Sequence, residues 1–306
     1  AGEEILAKSE HDLEKKCCTL VHLAQAYVFD GEYEKSKEAY DFVIKNAADF
    51  KNIERIVLEY GSEPFSQGLT MSSIVELMIG NLKNAKRNAE EGLKISLLSK
   101  HDISITFGYI FVALYHFCLN DKHTVKNIFI EYENSVEDFV WAKEFLYILN
   151  EWACGNVEYA IKSRDSMIKS GQSFALGVYE TSIADTLLAL NKVDEATLLL
   201  EESLDRVKRL DEYYALPLLL RYYARCFIMN NNITRAKEIY QEAIQLSKTQ
   251  GAYFKELMCL VDYCEYFDDQ KAKSRMFDIL IQYKNENDNY YFSKANTILG
   301  NNIAVL

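Results

Sequence analysis

The chain has 306 residues, 49% of them hydrophobic, and a formal net charge of −12. That length supports a continuous core, while the acidity excludes a general binder of phosphate backbones, which needs clustered Lys and Arg. Only 12 Gly and 2 Pro are present, so turn-rich sandwiches and barrels are excluded and nearly the whole length is free to be helical.

The opening, AGEEILAKSEHDLEKK, lacks Met and is already amphipathic. It is expected to begin a piece of a longer protein, its acidic run forming the solvated face of a first helix. TLVHLAQAYVF then runs to Gly31, where GEYEKSKEAYDFVI starts a charge-rich amphipathic segment. The stretch EYGSEPFSQG, residues 59–68, carries Gly61, Pro64 and Gly68 and predicts a loop between repeats. After it the outline returns at GNLKNAKRNAEEGL from Gly80. It recurs after FGYIFVALYHFCL at Asn120, at GNVEYAIKSRDSMI from Gly155, after YETSIADTLLAL at Asn191, and after LLLRYYARCFIM at Asn231. With Asp268-Asp269 as the last mark, the gaps are 49, 40, 35, 36, 40 and about 38 residues, a helical-repeat period.

Each unit predicts a helical hairpin. Its first helix is apolar and stops at a Gly or Asn that accepts the left-handed conformation cheaply. Its second is amphipathic, with a small residue five positions past the mark (Ser36, Ala85, Ala160, Ala196, Ala236) that allows close packing. One hairpin cannot bury its own apolar face, so stacking supplies the core. The fold class is therefore all-α: a right-handed superhelical α-solenoid of about six to seven hairpins, one repeat domain over 1–306. The polar, then weakly apolar tail at about 285–306 is expected to be a capping helix.

No run reaches the ~20 apolar residues of a membrane span, and no basic-then-apolar leader opens the chain. A cytoplasmic chain with no membrane or direct nucleic-acid partner is expected. The seven cysteines form no Cys-x-x-Cys and the five histidines no i, i+4 pair, so reduced thiols and no metal or cofactor are expected. There is no phosphate loop, nucleophile elbow or His-Glu-x-x-His, so no enzyme is expected.

The period and the Gly or Asn with its small residue resemble tetratricopeptide repeats. LEYGSEPFSQGLTMSSIVELMIGNLKNAKRNAEEGL and ALPLLLRYYARCFIMNNNITRAKEIYQEAIQLSKTQGAYFKEL resemble, more specifically, the C-terminal repeats of large bacterial signalling ATPases and transcriptional regulators. Those proteins join a winged-helix or class III cyclase module to an NTPase and then to the repeats. The resemblance covers roughly Asp30 to Phe267 and is carried by Tyr60-Gly61-x-x-Pro64, Arg221, Gln250-Gly251-Ala252 and Glu256-Leu257; Asn191 and Asn231 depart from the more usual glycine. It implies a regulatory arm that restrains the ATPase of its own polypeptide, or that receives a ligand or partner.

The repeat pattern places certain first-helix positions on the concave face. Early in the chain these are Val21, Gln25, Thr70, Ile74, Phe145, Leu149 and Trp152, a largely apolar surface. Later they are Thr181, Asp185, Arg221, Arg225 and Asp262, the candidate binding residues. Arg221 and Arg225, at i, i+4, share a helix face. They either receive a small anion or peptide terminus or close an internal network with the two aspartates, a reading favoured because both carboxylates are at hand. Tyrosines (21 of them), Trp141, Trp152, Phe145 and His116 are expected to serve packing.

The function expected is a non-enzymatic sensor or protein-interaction arm with a protein or peptide partner. An alternative is an intracellular receptor for a short signalling peptide, resembling the quorum-sensing regulators; the paucity of groove asparagines counts against it. A self-associating scaffold is the other alternative.

Overall fold

The computed structural model describes residue 6 and residues 12–61, 63–136, 142–283 and 289–300. Among the described residues there are sixteen helices and no strand. Seven hairpins follow one another: α1 (Leu13–Phe29) with α2 (Tyr33–Ala47), then, after the short α3 (Ile53–Tyr60), α4 (Pro64–Ile79) with α5 (Leu82–Ser99). Next come α6 (Asp102–Cys118) with α7 (Lys122–Glu133), α8 (Lys143–Cys154) with α9 (Glu158–Lys169), and α10 (Leu176–Ala189) with α11 (Val193–Arg209). The last two are α12 (Leu216–Met229) with α13 (Ile233–Thr249) and α14 (Tyr253–Tyr266) with α15 (Gln270–Gln282), followed by α16 (Tyr290–Ile298). Each hairpin packs on the next, which makes an α-solenoid.

The turns explain the period. Gly31, Gly80, Asn120, Gly155, Asn191 and Asn231 all have positive φ, between 58° and 95°. At Gly80 the chain closes a Schellman turn, with the Asn81 N–H donating to the Glu76 carbonyl at 2.7 Å. Ser36, Ala85, Ala160, Ala196 and Ala236 are all buried, so the second helix lies close against the first.

Two places differ from the sequence expectation. At the seventh mark Asp269 adopts an extended conformation (φ −109°) and caps α15, its carboxylate accepting from the Lys271 and Ala272 N–H groups. An aspartate satisfies the new helix start more readily than it accepts a left-handed turn. The loop expected over 59–68 is reduced to the connection between Tyr60 and Pro64. Gly61 ends α3 in the left-handed conformation, Pro64 occupies the first position of α4, where its missing N–H costs nothing, and Glu63 caps the helix. Gly68 lies inside α4, where an added Cβ would come within 3.1 Å of Val43. The long first gap thus holds an additional helix, α3. The described part of the capping tail is α16, which packs on α14 and α15. Most of the opening acidic run lies outside the described residues, as does Trp141.

The first helices α4, α6, α10, α12 and α14 are buried along most of their length, whereas α5, α11 and α13 bury one stripe. Each fully buried Leu or Val on the inner helices contributes about 1.5–3 kcal/mol. The solenoid also closes on itself. The Tyr214 N–H donates to the Phe29 carbonyl at 3.1 Å, and the Tyr283 hydroxyl to the Ile79 carbonyl at 2.9 Å. Lys255 Nζ, fully buried on α14, donates to the Tyr33 hydroxyl and the Tyr214 carbonyl. First and last hairpins are therefore in contact, and α14 packs on α4.

Candidate functional site

Because the first helices face inward, their side chains wall the interior. The earlier inner helices carry apolar residues: Ile74 on α4, Phe111 on α6, Phe145 on α8 and Val178 on α10 surround a chamber of about 70 Å³. Gln25 of α1 is its one side chain with a polar amide, and Tyr179 and Tyr214 bring hydroxyls. Two helical turns further along α8 and α10, polar groups take over. Trp152 stands seven residues after Phe145, and Asp185 seven after Val178, which is about 10 Å along each axis. This end holds a cavity of about 220 Å³ whose wall includes Asp185, Arg221, Arg225 and Asp262. A third space of about 450 Å³, beside His116 and Asp121, shares Asn120 and Tyr290 with it.

Four of the five candidate residues are thus brought together, as two ion pairs. Arg221 donates through Nε to Asp262 Oδ2 at 2.7 Å and through Nη2 to Oδ1 at 3.2 Å, and Nη2 also reaches the Tyr291 hydroxyl at 3.1 Å. Its guanidinium carbon lies 5.0 Å from the Tyr222 ring centre and 5.2 Å from that of Tyr291. Arg225 Nη1 donates to Asp185 Oδ1 at 2.9 Å, and Asp185 Oδ2 accepts from Trp152 Nε1 at 2.9 Å. Burial alone would lower both arginine pKa values; Asp262 overrides it at Arg221, and Asp262, Tyr222 and Asp185 do so at Arg225, so both stay firmly cationic. Arg221's bidentate edge is therefore spent on Asp262 and cannot also clamp a ligand. Thr181 stands apart: it is fully buried, and its hydroxyl donates to the Val178 carbonyl of its own helix at 2.5 Å.

Of the early positions, Gln25, Ile74 and Phe145 line the apolar chamber. Val21, Thr70, Leu149 and Trp152 are buried. His116 is not fully enclosed. Its Nδ1 lies 3.1 Å from Asp121 Oδ2, it borders the largest space, and burial holds its pKa below the usual value against the raising influence of Asp121.

Several residues of the polar cavity carry no repeat signature. Lys122 begins α7 and sits 4.8 Å over the Trp152 ring. Lys294 of α16 donates to Glu265 of α14 at 2.5 Å, beside Tyr290 and Tyr291. Tyr290 and Tyr291 belong to the tyrosines expected only to pack, and nothing in the sequence distinguishes Lys122. Among the described residues no group of His, Cys, Asp and Glu is arranged to hold a metal ion, and no helix is long and apolar enough to cross a membrane.

No family model matches the chain, and no curated protein matches it in sequence. Among solved structures it is similar to a Rap protein complexed with competence and sporulation factor, with a TM-score of 0.62 at 13% identity over 93% of this chain and 81% of that one. At that identity the likeness is one of fold.

Proposed function

We propose that this chain is a regulatory, protein-interaction repeat domain without turnover of its own, and that it receives an extended peptide segment on the inner face of its solenoid. The observation that carries the reading is the division of that face: apolar where α1, α4, α6 and the start of α10 line it, charged where the end of α10 with α12, α14 and α16 do. A peptide offers both kinds of group, and a chamber of about 70 Å³ has room for one apolar side chain. The similar Rap structure, solved with a bound factor, supports a protein or peptide partner. The signalling-ATPase setting implied by the blocks at 58–93 and 215–257 belongs to the same proposal: the bound state would be passed to an effector module.

The test is retention of a random hexapeptide pool by the immobilised chain, compared with Ile74→Trp, which fills the apolar chamber without adding charge. Enrichment of sequences with an apolar residue, lost in Ile74→Trp while its melting temperature holds, is the expected result. Equal retention by both proteins places binding elsewhere and overturns the reading.

A further inference from the structure

The charged side chains on the polar cavity do not balance. Lys122, Arg221, Arg225 and Lys294 stand against Asp185, Asp262 and Glu265. Three pairs form, Arg221 with Asp262, Arg225 with Asp185 and Lys294 with Glu265. Lys122 is left over: its ammonium rests on the Trp152 ring and has no carboxylate partner among the described residues. A cavity with one surplus cation is out of keeping with a chain of net charge −12. A second observation points the same way. Arg221 is 3% exposed, and while Nε and Nη2 are engaged, Nη1 is buried with no acceptor at all. A buried guanidinium N–H without a partner is costly and rare, and the arginine that carries it borders the cavity of about 220 Å³.

We propose that this cavity is a subsite for a single carboxylate, which Lys122 and Arg225 meet at the surface of the wall and whose charge the buried Arg221 supports from beneath. One surplus cation calls for a monoanion; a phosphate dianion would overshoot it and would face Asp185, Asp262 and Glu265 at close range. A carboxylate also accepts several donors at once, as an ammonium and a guanidinium side by side on the wall require. The tyrosine rings at Tyr222 and Tyr291 hold the Arg221 plane fixed, so the donors are in place before the ligand arrives. The subsite deepens the peptide reading by naming the group at one end of the ligand, and it depends on that reading only for the source of the carboxylate.

The experiment uses the full chain and two matched pairs of probes: the hexapeptide pool with free or amidated C-termini, and N-acetylglycine or its amide. Binding of the small probes is followed by amide NMR shifts and by melting temperature. Lys122→Met removes the surplus charge at a partly exposed helix start and is expected to fold like wild type. Retention of the free-acid pool but not the amidated pool, weakened about tenfold in Lys122→Met, is the expected result, the weight of one charge-assisted hydrogen bond. If neither pool is retained while N-acetylglycine binds, is lost in Lys122→Met and its amide is silent, the subsite stands with a free small acid as its source and the peptide reading fails. If both pools are retained equally, the subsite is overturned and the peptide reading survives. Silence from every probe overturns both.

Discussion

Lys255 gives the sharpest test of how the solenoid is closed. It is 1% exposed, and burial lowers its pKa to about 7 against the weaker, opposing influence of Cys118 and Cys259. An unfolded lysine titrates near 10.4. Because the folded value lies below the unfolded one, the cost of burying the amine is absent above about pH 10.4, grows as pH falls toward 7, and levels off below that. At about 1.36 kcal/mol per pH unit the full span amounts to roughly 4–5 kcal/mol, of which about 2 kcal/mol falls between pH 7 and 9. Lys255→Met keeps the length and removes the titration. It also leaves the Tyr214 carbonyl and the Tyr33 hydroxyl without this donor, a penalty of about 1–3 kcal/mol that does not vary with pH. Urea unfolding of both proteins at pH 7, 8 and 9 isolates the effect, since buried thiols and tyrosines titrate alike in the two and cancel in the difference. Wild type should gain about 2 kcal/mol on the variant from pH 7 to 9. A difference that stays constant with pH would refute the reasoning, because the amine would then be equally charged in the folded and unfolded chain.

Gly80→Ala should cost about 2–3 kcal/mol, from a φ of +95° and a Cβ placed 2.2 Å from the Tyr283 ring; a lower melting temperature with faster hydrogen exchange at the end of α15 is the signature. Trp152→Phe removes the 2.9 Å bond to Asp185 and should cost about 1 kcal/mol in denaturant unfolding. Glu212 is buried, accepts from the Ala175 N–H at 2.8 Å and keeps Oε2 without a partner, and burial raises its pKa against Ala175 and Arg206. A raised carboxyl pKa means stability that is fully present below the unfolded value near 4.3 and lost as pH rises through the folded one. Glu212→Gln should therefore gain in melting temperature on wild type from pH 4 to pH 7, and a difference that shrinks over that range would contradict this.

What the sequence made legible is what repeats. Asn120, Asn191 and Asn231 adopt the left-handed turn expected of them, and the small residues five positions on are buried. Asp185 with Arg225 and Arg221 with Asp262 could be foreseen for the same reason: each pair is separated by one repeat, 40 and 41 residues, so equivalent positions meet on adjacent helices. Where a residue type has two uses, the pattern misled. Pro64 reads as a breaker and serves as a helix start; Asp268-Asp269 reads as a turn, and Asp269 serves as a cap. Thr181 kept the register but, beside Val178 in a fully buried helix, satisfied its hydroxyl on the backbone instead of facing the cavity.

The contacts with no period are those that close the structure. Lys255 meets Tyr33 across 222 residues, and Tyr283 meets Ile79 across 204. A solenoid's stability is in the main a sum over neighbours, so nothing in a repeat announces that its ends will touch. Yet this closure turns an inner face that would otherwise be an open groove into separate chambers. In an open groove every inward side chain would be hydrated. Closed, the interior buries Arg221 Nη1 and holds the Lys255 pKa well below the usual lysine value. Loosening the closure, by Lys255→Met or Gly80→Ala, should therefore let the walls of the polar cavity shift and weaken any carboxylate bound there, although neither residue lines it. Unchanged affinity for the free-acid probes in both variants would show that the cavity is set by α7, α10, α12, α14 and α16 alone.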